Sequence, residues 1–137
     1  MAKILIADDS RVQLHLFSLC LKDKGFEILV AVDALQAWMT ALRALPDAIV
    51  LDINMPGGSG IEVLRKLRLS TKTMHIPVVV VSGNDKPEVQ SEVAAMGVAA
   101  FLQKPVDLER LGNLMVELLA SSASIFSEPK MHVFTQR

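Results

Sequence analysis

Five polar side chains follow short apolar segments of the chain, at positions where the surrounding sequence is hydrophobic. They are Asp8, Asp9, Asp52, Ser82 and Lys104. If the fold brings them together, the carboxylates need a neutralising cation, because like charges at a few ångströms oppose each other's ionisation. Oxygen ligands with no His or Cys nearby in the sequence favour Mg²⁺ or a similar divalent ion. An ammonium group and a hydroxyl suit phosphoryl oxygens, and Asp52 could then attack phosphorus and carry an acyl phosphate.

The segments that precede these residues are predicted to be buried strands. They are residues 3–7, 48–51, 78–81 and 99–103, and each is a nearly continuous apolar run. Such runs are typical of parallel strands that are covered on both faces. In open α/β sheets the ligand site lies outside the carboxyl ends of the strands. We therefore expect four strand ends to bring the five polar side chains to one edge of a sheet.

Helical patterns alternate with the strands. Ser10, Asp33 and Asp107 are predicted helix N-caps, and Gly25 is a predicted C-cap. A further strand is predicted over residues 26–32, and a helix over residues 87–96. Helices that connect successive strands in this way predict an α/β fold with a five-stranded parallel sheet, doubly wound with helices on both faces.

Apolar residues at helical spacing predict which helix faces are buried. The predicted inward residues are Leu16, Phe17, Cys20 and Leu21 in the first helix, Leu35, Trp38 and Leu42 in the second, Ile61, Leu64 and Leu67 in the third, and Leu108, Leu111, Met115 and Leu118 in the last. Leu14 and Leu19 lie off the inward stripe of the first helix. Both are interpreted as exposed, and two such residues suggest a contact surface for a kinase or phosphotransfer helix, with isolated surface leucines as the alternative.

Composition limits the class of protein. The 137 residues fit one domain, and a net charge of −1 gives no electrostatic case for binding nucleic acid or an anionic membrane. Cys20 is the only cysteine, so there is no disulfide framework and no cysteine-based metal site. The apolar runs are shorter than the roughly 18 residues of a membrane-spanning helix, and no signal peptide is evident. A cytoplasmic protein is predicted.

The chain changes character near its carboxyl end. Residues 1–120 are predicted to form a single domain, and a serine-rich stretch followed by a polar segment occupies residues 121–137. The apolar residues of that segment show no clear period. It is interpreted as a C-terminal tail or the start of a linker, and the sequence leaves both possibilities open.

The ordered set of polar residues resembles the receiver domain of the two-component response regulators, close to the single-domain chemotaxis type. The resemblance covers residues 1–120 and rests on Asp8-Asp9, on Asp52 followed by Met55-Pro56 and Gly60, on Ser82-Gly83, and on Phe101 three residues before Lys104-Pro105. The intervals from Asp9 to Asp52, then to Ser82, then to Lys104 are 43, 30 and 22 residues, which are usual in that family. Ser82 in place of the commoner Thr is a mild departure, as is Asp33-Ala34 in place of a usual Asn-Gly turn.

The resemblance implies a flavodoxin-like (βα)5 fold with strand order 2-1-3-4-5 and a phosphoacceptor signalling domain rather than an enzyme. It makes Asp52 the phosphoacceptor, which takes its phosphoryl group from a phosphohistidine. It further implies that Asp8, Asp9, Asp52 and the backbone carbonyl of Asn54 hold Mg²⁺ or Mn²⁺, that Ser82 and Lys104 contact the phosphoryl group, that Ser82 and Phe101 form a switch, and that the Lys104-Pro105 peptide is cis.

The implied partners are proteins. A sensor histidine kinase or a histidine phosphotransfer protein would supply the phosphoryl group. A downstream protein would bind the face made by the fourth helix, the fifth strand and the fifth helix once phosphorylation has moved Phe101. A phosphorylation-dependent homodimer is also possible in this class.

Three other functions are alternatives to this one. A phosphate relay without its own output would use the same residues. A phosphatase of the haloacid-dehalogenase type also uses an aspartate nucleophile, Mg²⁺ and a lysine, but in an Asp-x-Asp pattern after the first strand; here Asp8 and Asp9 are contiguous. A flavin binder needs a phosphate loop rich in Ser, Thr and Gly after that strand, which Asp8-Asp9-Ser10-Arg11 does not offer. Taken singly, the carboxylates could be helix caps or turn formers and Lys104 a solvated lysine.

Overall fold

Strands and helices alternate along the chain. The structure is a computed structural model that describes residues 1–55, 59–83 and 86–122. The strands are β1 (Lys3–Ala7), β2 (Glu27–Ala31), β3 (Ala48–Asp52), β4 (Val78–Ser82) and β5 (Ala100–Gln103). The helices are α1 (Arg11–Asp23), α2 (Ala34–Ala44), α3 (Gly60–Leu69), α4 (Pro87–Ala95) and α5 (Leu108–Ser122). Most of these bounds lie within a residue of the predicted ones. Pro56 of the Met55-Pro56 motif and most of the predicted tail, residues 123–137, lie outside the described residues.

The strands form one parallel sheet in the order β2-β1-β3-β4-β5, which confirms the predicted fold. The register aligns the carboxyl ends of the inner strands. Ala7 pairs with Leu51, Asp52 pairs with Val81, and Ser82 pairs with Gln103. The residues that immediately follow β1 and β5 therefore lie level with the ends of β3 and β4.

The helices cover both faces of the sheet, as a doubly wound fold requires. α1 and α5 pack on one face through Leu14, Phe17, Leu21, Leu111, Met115 and Leu118. α2, α3 and α4 pack on the other through Ala34, Ala37, Ala41, Val63, Leu64, Leu67 and Val93. Every residue of β3 and β4 is buried between these layers, which explains their continuous apolar sequences. β2 is an edge strand, and its Glu27 and Val30 are exposed.

The predicted inward face of α1 was wrong in two positions. Leu14 is only 6% exposed and belongs to the core, whereas Leu16 is 40% exposed. Leu14, Phe17 and Leu21 are the inward residues, with the spacing of three and four that keeps side chains on one helix face. Leu16 precedes Phe17 by one residue and therefore projects about 100° away from it. The predicted exposure of Leu19 is confirmed.

The predicted inward face of α2 was displaced by one residue. Leu35 is 65% exposed, and the buried residues are Ala34, Ala37 and Ala41. Both sets have the same helical spacing, so the pattern alone does not distinguish them. The three alanines belong to the core, and Trp38 packs at the border of the core rather than inside it.

Polar caps fix the start of three helices at the predicted residues. Ser10 Oγ accepts from the Gln13 amide at 3.2 Å, and Asp33 Oδ1 accepts from the Gln36 amide at 2.8 Å. Asp107 Oδ1 accepts from the amides of Glu109 and Arg110 at 3.0 and 3.3 Å. Gly25 follows α1 with a φ of +94°, a conformation that favours glycine at a helix end. No helix in the described ranges is both long enough and apolar enough to cross a membrane.

Candidate functional site at the carboxyl edge of the sheet

Three carboxylates meet at the carboxyl edge of the sheet. Asp8 follows β1, Asp52 ends the neighbouring β3, and Asp9 follows Asp8; oxygens of all three lie within 4.8 Å of one another. Asp8 and Asp52 are only 1% and 2% exposed, whereas Asp9 is open to solvent. Two buried acidic groups beside a third are unfavourable unless a positive charge joins them.

Lys104 supplies a positive charge from the end of β5. Its Nζ lies 3.1 Å from Asp52 Oδ2 and 3.4 Å from Asp8 Oδ2. Burial acts to lower the pKa of Lys104, but the charge and hydrogen bond of Asp52, together with Asp8, outweigh burial, and the pKa of Lys104 is raised. The lysine is therefore a stable cation at neutral pH.

Backbone amides orient the two buried carboxylates. Asp8 Oδ1 accepts from the Ser10 amide and Asp52 Oδ1 accepts from the Asn54 amide, both at 2.9 Å. The second oxygen of each carboxylate is thereby directed to Lys104. Each hydrogen bond closes a short turn in which the aspartate side chain bonds the backbone two residues later.

Asp8 Oδ2 is a buried acceptor that has no hydrogen-bond partner among the described residues. Burial is the main cause that raises the pKa of Asp8, and the charge of Asp52 acts in the same direction. The Ser10 amide and Lys104 act against them without cancelling the effect. The contact of this oxygen with Lys104 at 3.4 Å is an ion pair without hydrogen-bond geometry. Beside two further carboxylates, such an oxygen fits a divalent cation with hard oxygen ligands.

Ser82 lies at the end of β4 and is fully buried. Asn54 Nδ2 donates to Ser82 Oγ at 3.3 Å, which links the turn after β3 to the end of β4. The sequence interpretation used only the backbone carbonyl of Asn54 and missed this side-chain link. The one available signal was that Asn54 comes two residues after β3 and Ser82 is the last residue of the adjacent β4.

Phe101 lies inside the core and not at the surface. It is fully buried on β5, in the cluster that also contains Val80 and Val93, on the face covered by α2, α3 and α4. The resemblance implies an aromatic side chain that turns inward, and in this structure the ring is already inside. The Lys104-Pro105 peptide is cis.

The geometry and the sequence place the chain in a known class of signalling domain. The family model for the response regulator receiver domain matches residues 4–115, and the chain belongs to this family. Receiver domains act in two-component signalling, and phosphorylation and magnesium binding are typical of them.

Individual relatives support the same assignment. The protein PilH of Pseudomonas aeruginosa is 32% identical over 120 residues, which are 88% of this chain and 99% of PilH. The response regulator PleD of Caulobacter vibrioides is 38% identical over 106 residues, which are 77% of this chain but only 23% of PleD. The solved structure of the chemotaxis response regulator CheY4 of Vibrio cholerae is 31% identical, with a TM-score of 0.80 over 86% of this chain and 98% of that one.

Proposed function

We propose that the chain is a phosphoacceptor whose Asp52 receives a phosphoryl group from a phosphohistidine of a sensor kinase or phosphotransfer protein. The observation that carries the proposal is that buried Asp52 and buried Asp8 both pair with Lys104, at 3.1 and 3.4 Å. A helix cap or a turn former would not need a lysine and a second buried carboxylate. The receiver domain is proposed to occupy residues 1–120, with residues 121–137 as a tail or linker.

The proposed reaction transfers a phosphoryl group from an imidazole nitrogen of the donor to a carboxylate oxygen of Asp52. A carboxylate oxygen of Asp52 forms a bond to phosphorus, the bond from phosphorus to the imidazole nitrogen breaks, and the imidazole leaves with the electron pair and takes up a proton. The product is a mixed anhydride of carboxylate and phosphate. Lys104 is close enough to Asp52 to hold a phosphoryl oxygen after transfer, and the buried Ser82 hydroxyl offers a second donor.

The residues present fit a bound Mg²⁺ or Mn²⁺. Asp8, Asp9, Asp52 and the backbone carbonyl of Asn54 would hold the cation, which would neutralise negative charge on the transferred phosphoryl group. Asp8 and Asp9 come from one strand end, and Asp52 and Asn54 come from the next. The site therefore depends on the pairing of β1 with β3.

The docking of the phosphate donor is proposed to involve α1, which starts two residues after Asp9. Leu14 cannot take part because it is buried, but Val12, Leu16 and Leu19 are exposed. Their spacing of four and three places them on one face of the helix. This apolar stripe suits the side of a partner helix that carries the phosphohistidine.

The output is proposed to be a change of partner binding at the face formed by α4, β5 and α5, with a phosphorylation-dependent homodimer as one form of it. The phosphoryl group brings about −1.5 to −2 charges and three acceptor oxygens in place of the single negative charge of the Asp52 carboxylate. Ser82 would move toward these oxygens, and a rearrangement around Phe101, whose ring is already buried, would carry the change to this face. The chain would then act as a signalling domain that assists its own phosphorylation and dephosphorylation, rather than as an enzyme with a separate substrate.

The direct test is phosphorylation of Asp52. Acetyl phosphate with Mg²⁺ should add one phosphoryl group, visible by intact mass, that alkali or hydroxylamine removes. Asp52→Asn should abolish this gain in mass. Asp47→Asn is the matched control, because Asp47 precedes β3 at the opposite edge of the sheet, where it accepts from the Lys3 amide. Stoichiometric labelling of Asp52→Asn would refute the assignment.

One observation favours a second function, a phosphate relay without its own output. Phe101 is already buried, so an inward rotation of its ring is not available as the switch. NMR with beryllofluoride, a phosphoryl mimic, separates the two functions. Shift changes that extend over residues 83–105 support an output surface, whereas changes confined to the neighbourhood of Asp52 support the relay.

A further inference from the structure

Gly60 is the first residue of α3, and it lies against the backbone of the strand end that carries Asp52. A methyl group added at its Cα would overlap Ile53 Cα and would lie 2.6 Å from the Asp52 carbonyl oxygen. Both atoms belong to the backbone and cannot rotate away as a flexible side chain could. Gly60 does not have a positive φ, unlike Gly25 and Gly97. Space, and not backbone conformation, therefore requires glycine at this position.

Hydrogen bonds hold the same short stretch of backbone from several sides. The Gly60 amide donates to the Ile53 carbonyl at 3.1 Å, and the Ile53 amide donates to the Val81 carbonyl at 3.3 Å. The Asn54 amide donates to Asp52 Oδ1 at 2.9 Å. The direction of the Asn54 carbonyl and of the Asp52 carboxylate thus depends on how closely α3 approaches this turn.

We propose that Gly60 is a positioning residue for the phosphorylation site. Because it has no side chain, α3 can start in contact with residues 52–54 and hold them where the Asp52 carboxylate and the Asn54 carbonyl converge on the cation. Gly60 touches neither the cation nor the phosphoryl group, so it acts through the backbone of Asp52 and Ile53. This inference rests on the proposed function, since it assigns a role to Gly60 in that same site.

The test is Gly60→Ala with two readouts. The first is the affinity for Mn²⁺, followed by electron paramagnetic resonance without any phosphate donor. The second is the rate of phosphorylation by acetyl phosphate. Changes in the support of metal ligands typically weaken binding about 10–100-fold, and a displacement of about 1 Å can slow a reaction about 100-fold. We expect Gly60→Ala to lower both the Mn²⁺ affinity and the rate of phosphorylation by factors of that size.

Gly112→Ala is the matched control. Gly112 is also a buried glycine, on α5, but its added methyl group would meet the side chains of Lys24 at 3.1 Å and Cys20 at 3.3 Å instead of backbone. Its Mn²⁺ affinity should equal that of the wild type even if its melting temperature changes. A folded Gly60→Ala protein with wild-type Mn²⁺ affinity and phosphorylation rate would overturn the proposal.

A measurement on the wild type keeps the proposal testable if Gly60→Ala does not fold. The Gly60 amide should exchange with deuterium at least about tenfold more slowly than an unprotected amide, because it is bonded to Ile53. Exchange at the unprotected rate would contradict the proposal. If the wild type binds Mn²⁺ but is never phosphorylated on Asp52, the proposed function fails while the Mn²⁺ affinities still decide the role of Gly60. If the wild-type protein binds no Mn²⁺, both the proposed function and the proposed role of Gly60 are wrong.

Discussion

Lys104 Nζ lies 3.1 Å from Asp52 Oδ2 and 3.4 Å from Asp8 Oδ2, so one ammonium group connects the ends of three strands. Asp8 follows β1, Asp52 ends β3, and Lys104 follows β5. Among the described residues, no other side chain forms an ion pair with either buried carboxylate. The same contact therefore serves the stability of the sheet edge and the chemistry proposed for it.

Removal of this ammonium group should destabilise the domain. Lys104→Met leaves Asp8 and Asp52 buried without their cation, and we expect the free energy of unfolding at neutral pH to fall by about 1–3 kcal/mol. Mg²⁺ should recover part of the loss, because it can take the place of the lysine charge. Urea denaturation with and without Mg²⁺ measures both effects. Lys22→Met, on the exposed face of α1, is the control; an equal loss in both variants would contradict the prediction.

The buried carboxyl of Asp8 should lower the stability of the cation-free protein. Burial raises its pKa in the folded state, so its favourable contribution is present below the unfolded pKa of about 3.9 and disappears as the pH rises through the higher folded value. Asp8→Asn should therefore raise the free energy of unfolding at pH 7 by about 1 kcal/mol without Mg²⁺. It should also abolish stabilisation by Mg²⁺.

Asp9→Asn is the comparison for Asp8→Asn. Asp9 is exposed, so its neutralisation should change the stability of the cation-free protein much less, while Mg²⁺ affinity still falls. Thermal unfolding over a series of Mg²⁺ concentrations separates the two variants. If Asp8→Asn unfolds more readily than the wild type without Mg²⁺, the buried carboxyl is not a source of strain.

Arg68 joins α3 to two turns on the side of the sheet remote from the site. Its guanidinium donates to the carbonyls of Met96 and Ile76 at 2.9 Å, of Met74 at 3.2 Å and of Gly97 at 3.4 Å. Burial lowers the pKa of Arg68 from its usual value, but the group remains charged. Arg68→Ala should reduce the free energy of unfolding by about 2–3 kcal/mol, and Lys should restore little because it lacks the planar fork.

Arg65 provides the control for Arg68. It lies on the same helix and pairs with Glu92 at 3.1 Å, but both side chains are about half exposed. Surface ion pairs contribute about 0–1 kcal/mol, so Arg65→Ala should lower the free energy of unfolding by less than about 1 kcal/mol. Chemical denaturation measures the free energy of unfolding of Arg65→Ala, Arg68→Ala and Arg68→Lys. Equal losses for Arg65→Ala and Arg68→Ala would show that the four carbonyl contacts do not matter.

Cys20 should be a poorly reactive thiol. Its Sγ donates to the Leu108 carbonyl at 3.1 Å, between α1 and α5, and burial raises the pKa of the thiol. The neutral thiol is thus favoured in the folded state, and its contribution to stability is lost as the pH rises above about 8.5, the unfolded value. Iodoacetamide at pH 8 should label the folded chain more slowly than the urea-unfolded chain by at least about tenfold. Intact mass measures the extent of labelling at Cys20 directly, because Cys20 is the only cysteine.

The sequence by itself predicted the parallel sheet and the identity of the polar residues at its edge, whereas the strand order followed from the resemblance to receiver domains. β3 and β4 are buried on both faces, so their sequences are apolar without interruption, and the polar residue after each run marks the strand end. The caps Ser10, Asp33 and Asp107 were equally readable, since an N-cap acts on backbone groups only two or three residues away. These signals are local, or they repeat along one element.

Only the tertiary structure decided which helix faces are buried and how the site is held together. The stripe Leu35, Trp38, Leu42 and the stripe Ala34, Ala37, Ala41 have the same period. Packing of α2 against the sheet buries the alanines and leaves Leu35 exposed. The contacts between Asn54 and Ser82 and between Gly60 and Ile53 join residues from different elements. No periodicity encodes such contacts, because their partners become neighbours only when the parallel strands align and the helices pack against them.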